Sequence, residues 1–180
     1  MPEPSQPVVH QAVLRRRHRS GVAAVEFALV AAPFFFPIFA ILQLALLFVI
    51  DALLENATLQ TARLIRTGEA VDRGLDREQF KAALCADMSL FAGGCSDRLV
   101  VEVRELTQFR DPPPQNPVVD GVLSEASLPY TNGQAGSLML VRVWYKQPLF
   151  VPTLSQAVSR SGSGEVLLNV TTAFRSEPYG

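Results

Sequence analysis

The apolar residues of this chain are concentrated near its N-terminus, in one long stretch without a charge. From Phe27 to Ile50 the sequence reads FALVAAPFFFPIFAILQLALLFVI, in which Gln43 is the only polar side chain. As a helix this stretch would extend for about 36 Å, which is enough to cross a hydrocarbon core of about 30 Å. The pattern therefore predicts a transmembrane helix, which we place at residues 22–50.

An amphipathic pattern follows the apolar stretch and predicts that the helix continues beyond the membrane, with Gly68 as its expected stop. The apolar side chains of this continuation lie at helical spacing near one face, and they are Leu53, Leu54, Ala57, Leu64 and Ile65. A second helix is predicted from Asp76 to Met88, with Asp76 as its N-cap. Its inward positions would be Phe80, Ala83 and Leu84.

Three later segments have the composition of strands: Leu99 to Leu106, Leu138 to Gln147 and Glu165 to Arg175. The last alternates regularly and would place Val166, Leu168, Val170, Thr172 and Phe174 on one face. Residues 111–136 lie between the first two strands. Their proline run and their Asp-Gly and Asn-Gly pairs predict a long irregular connection, which is either functional or mobile. We expect an α+β fold, in which the long helix packs on a small antiparallel sheet of about three strands.

The distribution of charge predicts the orientation of the chain in the membrane. The basic cluster Arg15-Arg16-Arg17-His18-Arg19 precedes the apolar stretch, whereas Asp51 and Glu55 follow it. By the positive-inside rule, residues 1–21 form a basic cytoplasmic leader and residues 51–180 form an external domain. A secretory signal peptide is the alternative. Its apolar region would span only about 7 to 15 residues and would be followed by a small-residue cleavage site.

The residues around the start of the apolar stretch form a motif. The order is a basic leader, Gly21, four mostly apolar residues, Glu26, an aromatic residue and then the long apolar helix. This order resembles the prepilin-peptidase site of type IV pilins and their relatives. More narrowly, RSGVAAVEFALVAAPFFFPIFAILQLALLF is similar to the N-terminal signature of the TadE-like family, the pseudopilins of Tad (Flp, tight adherence) pili. The C-terminal FRSEPY also resembles the ending of that family.

The resemblance implies a pilin-like fold and a minor pilin or pseudopilin that acts in pilus assembly and surface adhesion. It implies cleavage between Gly21 and Val22 by a prepilin peptidase on the cytoplasmic side of a bacterial inner membrane. By the same resemblance, Glu26 neutralises the new N-terminal amine of a neighbouring subunit, and Phe27 occupies the position where the motif usually has Tyr. The implied partners are the prepilin peptidase, other Tad pilus and pseudopilin subunits, and membrane lipid.

Alternatives to these roles stay open on the residues alone. An acid inside a membrane usually marks function, but Glu26 is shallow enough to be a glutamate at the membrane interface. The small residues Ala24, Ala28 and Ala32 are spaced for close approach of a partner helix, although alanine pairs are common in any span. Pro33 and Pro37 predict a bend near the middle of the membrane.

Cys85 and Cys95 both fall in the expected external domain, where an oxidising compartment permits a disulfide. Closing this short loop would stabilise the fold by about 3 kcal/mol in the chain-entropy model. A zinc site is disfavoured because two thiols are half a ligand set and both histidines precede the span. The spacing is also far from that of a redox-active Cys-x-x-Cys pair.

The sequence contains little that favours catalysis. The external part has no histidine for a nucleophile pair, and the motifs for phosphate, dinucleotide or zinc binding are missing. Acids such as Glu102, Glu105, Asp72 and Asp76 are expected to be solvated surface charges. We expect no enzyme activity, no cofactor, no metal and no small-molecule substrate. The net charge of −1 disfavours nucleic acid. The alternative function is an uncleaved, membrane-anchored periplasmic scaffold or binding protein of an envelope secretion complex.

Overall fold

The computed structural model describes residues 9–110, 114, 117–119, 122–150 and 164–179. The helices are α1 (Val9–Arg66), α2 (Glu69–Asp72), α3 (Arg77–Asp87) and α4 (Cys95–Arg98), with a 3₁₀ turn at Ser89–Phe91. The strands are β1 (Leu99–Leu106), β2 (Val118–Val119), β3 (Val122–Leu123), β4 (Leu138–Pro148) and β5 (Glu165–Arg175). The chain divides into two compact units, Met1–Leu42 and Gln43–Gly180.

The first unit contains the N-terminal part of α1. From Gly21 to Leu42 nearly every side chain is exposed, including Phe27, Phe34 and Phe39. Pro33 and Pro37 lie inside the helix. An apolar helix without a protein cover is the pattern expected for a segment that lies in lipid.

The second unit has one main hydrophobic core, between the C-terminal part of α1 and one face of a sheet. Ile50, Leu54, Ala57 and Ile65 of α1 are buried in it, because their spacing places them on one side of the helix. Leu53 and Leu64 are only partly buried. The expected inward face of this segment is therefore confirmed in its central residues, and α1 ends at Arg66, just before Gly68.

Helix α3 begins at a capping box. The Asp76 carboxylate accepts a hydrogen bond from the Gln79 backbone N–H, and the Gln79 side chain accepts one from the Asp76 N–H. Phe80 and Leu84 are buried in the core, whereas Ala83 is only partly buried. The predicted helix, its N-cap and two of its inward residues are thus confirmed.

The sheet has three antiparallel strands in the order β1-β4-β5. Val101 pairs with Val143, and Val143 pairs with Val170, so these three residues line the face that covers α1. β1 and β5 have the predicted bounds, and β4 extends one residue further. Leu168, Val170 and Phe174 pack against the core, as the alternation in β5 predicts. The α+β fold with a three-stranded antiparallel sheet is therefore confirmed.

The connection between β1 and β4 is more ordered than the sequence predicts. β2 and β3 form a short antiparallel ladder inside it. Leu123 and Leu128 pack with Val100 and Trp144 in a second cluster, on the sheet face opposite to α1. Further along, the Val103 N–H donates to the Pro129 carbonyl and the Thr131 N–H donates to the Val103 carbonyl. The described part of this connection thus covers the second face and one edge of the sheet.

Candidate functional sites

The motif that the sequence indicates lies on an exposed part of α1. Gly21, Val22, Glu26 and Phe27 are all helical and exposed, with Val22 at 55% and Phe27 at 71%. Val22 and Glu26 are four residues apart, so they share one face of the helix a single turn apart. An amine created at Val22 would therefore lie within about one turn of a carboxylate.

Gly21 has no packing role in the described structure. Beyond the adjacent residues and the backbone of its own helical turns, a Cβ added to Gly21 would meet no atom within 4 Å. Glycine inside a helix costs about 1 kcal/mol relative to alanine. The local fold therefore gives no reason for a glycine at this position.

The small residues Ala24, Ala28 and Ala32 form an exposed row along α1. Since Ala24 is two positions after Val22, this row lies about 200° around the helix from the face of Val22 and Glu26. The helix thus carries its acid and its small-residue row on different faces, and a neighbouring helix could use each independently.

Gln43, the polar residue of the apolar stretch, is buried at 4% exposure in the second unit. Its Oε1 accepts a hydrogen bond of 2.9 Å from the Phe150 backbone N–H, just after β4. Leu47 and Ile50 are also buried on this side of α1. One face of the last two turns of the expected span therefore belongs to the core of the folded domain, a contact that hydropathy alone does not reveal.

Glu102 is fully buried, so the prediction that it is a solvated surface charge was wrong. It lies on β1 opposite Arg142 of β4 and accepts a hydrogen bond of 2.7 Å from Arg142 Nε. It also pairs with Arg104, and the Arg142 guanidinium lies 4.9 Å from the centre of the Trp144 ring. Glu105, Asp72 and Asp76 are exposed as expected. The sequence did contain a signal for this buried pair, because Glu102 and Arg142 each lie in the middle of a strand that is otherwise mostly apolar.

A second buried ion pair holds the connection onto α3. The Lys81 side chain is 5% exposed, and its Nζ lies 2.6 Å from Glu125 Oε2. Arg77 donates to the carbonyl oxygens of Glu125 and Leu128. Nearby, burial and the negative charge of Asp76 raise the pKa of Tyr130 to about 12. We interpret these contacts as structural, because the buried charge of Lys81 is paired with Glu125.

The C-terminal tail is held against the end of α1. The Glu177 N–H donates to the Arg66 carbonyl at 2.8 Å, and the carboxylate of Glu177 lies 3.4 Å from Arg66 Nε. One of the carbonyls that a helix end leaves unpaired is thereby satisfied. The Tyr179 ring lies directly over Gly68, where a Cβ would approach it to 2.5 Å. The tail therefore closes the C-terminal end of α1.

Cys85 at the end of α3 and Cys95 at the start of α4 are joined in a disulfide, with 5.7 Å between their Cα atoms.

A shallow groove of about 770 Å³ lies between α1 and α3, with Gln60, Arg63, Glu69 and Asp87 along its polar rim. In the part of the chain that the structure describes, no group of three or more His, Cys, Asp or Glu residues is arranged to hold a metal.

The structure thus defines a protein with one long apolar N-terminal helix, which suggests a membrane anchor, and a small α+β domain. A family model described as TadE-like protein matches residues 21–63, so the resemblance carried by the N-terminal motif is confirmed over this segment. The match includes Gly21, Glu26 and the alanine row, and it ends three residues before α1 does. Comparisons with curated proteins and with solved structures find no match.

Proposed function

We propose that this protein is a minor pilin or pseudopilin of a Tad (Flp-type) pilus, acting in pilus assembly and surface adhesion. The observation that carries the proposal is the match of residues 21–63 to the TadE-like family model. Members of this family are associated with Tad pili. That family is in general not enzymatic, and we assign no catalytic role, cofactor or small-molecule substrate to this chain. The partners are a prepilin peptidase, other pilus and pseudopilin subunits, and inner-membrane lipid.

In this proposal the peptidase cuts between Gly21 and Val22. Support comes from Gly21, which no described contact in the fold requires, although a glycine weakens the helix there. A small residue at a scissile bond leaves room for the peptidase, whereas a side chain would crowd that bond. The requirement for glycine then belongs to processing rather than to folding.

Glu26 acts in assembly. Cleavage gives Val22 a positive α-amine beside an apolar helix, where an unpaired charge is costly. A carboxylate on the same exposed face is available to a neighbouring subunit, because nothing in the described structure covers it. The charge pair would form between helices that pack side by side through the face of Val22 and Glu26, and the row of Ala24, Ala28 and Ala32 leaves a separate face for close approach of a second neighbour.

The proposed topology places residues 1–21 in the cytoplasm, a span beginning at Val22 in the inner membrane, and the α+β domain in the periplasm. The alternative is an uncleaved, anchored periplasmic scaffold or binding protein of an envelope secretion complex. The two candidate functions differ in whether the chain is processed and whether it needs the Glu26 charge for recruitment.

The variant Glu26→Gln tests the assembly role, because it keeps the shape and hydrogen bonding of the side chain while removing its charge. We expect it to insert and to be cleaved normally but to be recovered with pilus components at least several-fold less than wild type, as would Glu26→Ala. Glu55→Gln is the matched control, since it removes the same charge from an exposed position of the same helix outside the motif.

Recovery with pilus components and surface piliation would be compared by immunoblotting and electron microscopy. If both Glu26 variants assemble at the level of wild type and Glu55→Gln, Glu26 is only an interfacial residue and the assembly role fails.

A further inference from the structure

Just after the C-terminal end of β4, at one end of the sheet, Phe150 presents a large exposed apolar side chain. Phe150 is 73% exposed, yet its backbone is fixed, since its N–H donates to Gln43 Oε1 at 2.9 Å. The neighbouring Leu149 N–H donates to the Gly164 carbonyl at 3.3 Å and so extends the pairing of β4 with β5. This exposed phenylalanine is therefore held beside α1 at the level of Gln43.

The length of the apolar helix places Gln43 at the outer surface of the bilayer. A helix of residues 21–42 is about 33 Å long, which already matches a hydrocarbon core of about 30 Å. Any tilt of the helix shortens its reach across the bilayer and moves the outer boundary further along the chain, beyond Gln43. The segment that holds Phe150 therefore lies at the membrane surface by chain connectivity alone.

The exposed side of α1 remains apolar for about two turns beyond this level. Leu44, Phe48 and Val49 are exposed at 38%, 74% and 51%, while the opposite side is buried in the domain. The apolar surface stops at Asp51, the first charged residue after the span. These two turns cover about 11 Å, which is enough to span the headgroup layer of about 5–8 Å on one side of a bilayer.

We propose that the Phe150 end of the sheet and Phe48 of α1 together form a membrane-docking edge that dips into the outer leaflet. The occupant of this edge is lipid, because Leu44, Phe48 and Val49 follow directly on the apolar stretch of the same helix, and Phe150 is fixed at the level of Gln43, where that stretch reaches the bilayer surface. The docking edge rests only on the membrane anchor and not on the proposed role in a pilus. By contacting lipid on both α1 and the sheet, it holds the domain down on the membrane instead of leaving it free on a helical stalk.

Tryptophan fluorescence of the full chain in lipid nanodiscs tests this proposal. The variant Phe150→Trp is compared with Phe109→Trp, since Phe109 is also exposed, at 63%. Phe109 follows β1, whose last residue Leu106 pairs with Leu138 at the opposite end of β4. Because β4 has 11 residues, the two probes are about 36 Å apart along the sheet. Trp144, the chain's single tryptophan, is buried and stays as a constant background.

Nanodiscs with one protein each are made from phosphatidylcholine with plain acyl chains or with chains brominated near the headgroup, since bromine quenches tryptophan on contact. We expect brominated lipid to remove about half of the emission of Phe150→Trp, because one of its two tryptophans then touches lipid. Wild type and Phe109→Trp should lose almost none. Equal quenching of the two variants would overturn the proposal. A Phe150→Trp emission that is shifted to the blue but not quenched would also overturn it, because the edge would then be covered by protein.

Discussion

At the scale of single residues, the buried Glu102 shows how a charge can be hidden inside an apolar pattern. It is bonded to Arg142 across the strand pair and to Arg104 on its own strand, so neither of its oxygens is left without a partner. The guanidinium of Arg142 also donates to the Pro114 carbonyl at 3.3 Å. This carboxylate therefore links the sheet to the connection that covers it.

Removing the Glu102 carboxylate takes away the described ion-pair partner that Arg104 and Arg142 share, in a mostly buried place. We expect Glu102→Ala to lower the free energy of unfolding by about 3–5 kcal/mol, the usual cost of breaking a buried ion pair from one side. The measurement is urea unfolding of the purified full chain in detergent. The matched control is Glu105→Ala on the same strand, which loses an exposed carboxylate bonded to Ser137 and should cost about 1 kcal/mol. If the two variants lose the same free energy of unfolding, the buried ion pair of Glu102 stabilises the fold no more than an exposed hydrogen bond does.

At the scale of elements, α1 serves two environments with one continuous helix. Its first part is exposed and apolar, and its last part is amphipathic and packs on the sheet. The length of helix from Gln43 to Arg66, about 35 Å, is nearly that of β4, about 36 Å. Contacts of Phe150 with Gln43 and of Glu177 with Arg66 fix the two ends of this pair.

Much of these elements could be predicted from local signals. The alternation in β5 and the capping residue of α3 determine their own elements, and both agree with the structure. The burial of Gln43, Lys81 and Glu102 could not be read locally, because each depends on a partner at least forty residues away. The cover formed by the connection also depends on distant contacts. The motif at Gly21 and Glu26 could be found from the sequence alone, because it lies on an exposed helix and does not depend on contacts with distant residues.

The docking of the tail on α1 predicts a difference between two glycines. Gly68 and Gly74 both have positive φ angles, 84° and 60°, so alanine is strained at either position. A Cβ meets the Tyr179 ring only at Gly68, whereas at Gly74 it meets no described atom within 4 Å. Gly68→Ala should therefore be less stable than Gly74→Ala and should also release the tail.

Carboxypeptidase digestion of the folded full chain measures that release. The C-terminal residues should be removed at least several-fold faster from Gly68→Ala than from wild type, while Gly74→Ala should match wild type. If the two variants lose their tails at the same rate, Tyr179 is not held by its contact with Gly68.

At the scale of the whole molecule, the proposed orientation connects the basic leader to the disulfide. A domain placed outside the cytoplasm would keep Cys85 and Cys95 oxidised. In native cell envelopes both cysteines should therefore resist alkylation by maleimide reagents until a reductant is added. A reporter enzyme that works only outside the cytoplasm should be active when it is fused to the C-terminus. Free labelling without reductant would contradict either the disulfide or the orientation, and the reporter would show which.

We propose that this chain is a processed pseudopilin, and the mass of its mature N-terminus tests that role most directly. Protein isolated from an envelope with an active prepilin peptidase should begin at Val22, and Gly21→Ala should slow that cleavage without weakening the helix, because alanine is the better helix former. Intact mass and N-terminal peptide mapping give the result. A chain that still begins at Met1 in that envelope would contradict the account and leave an uncleaved anchor.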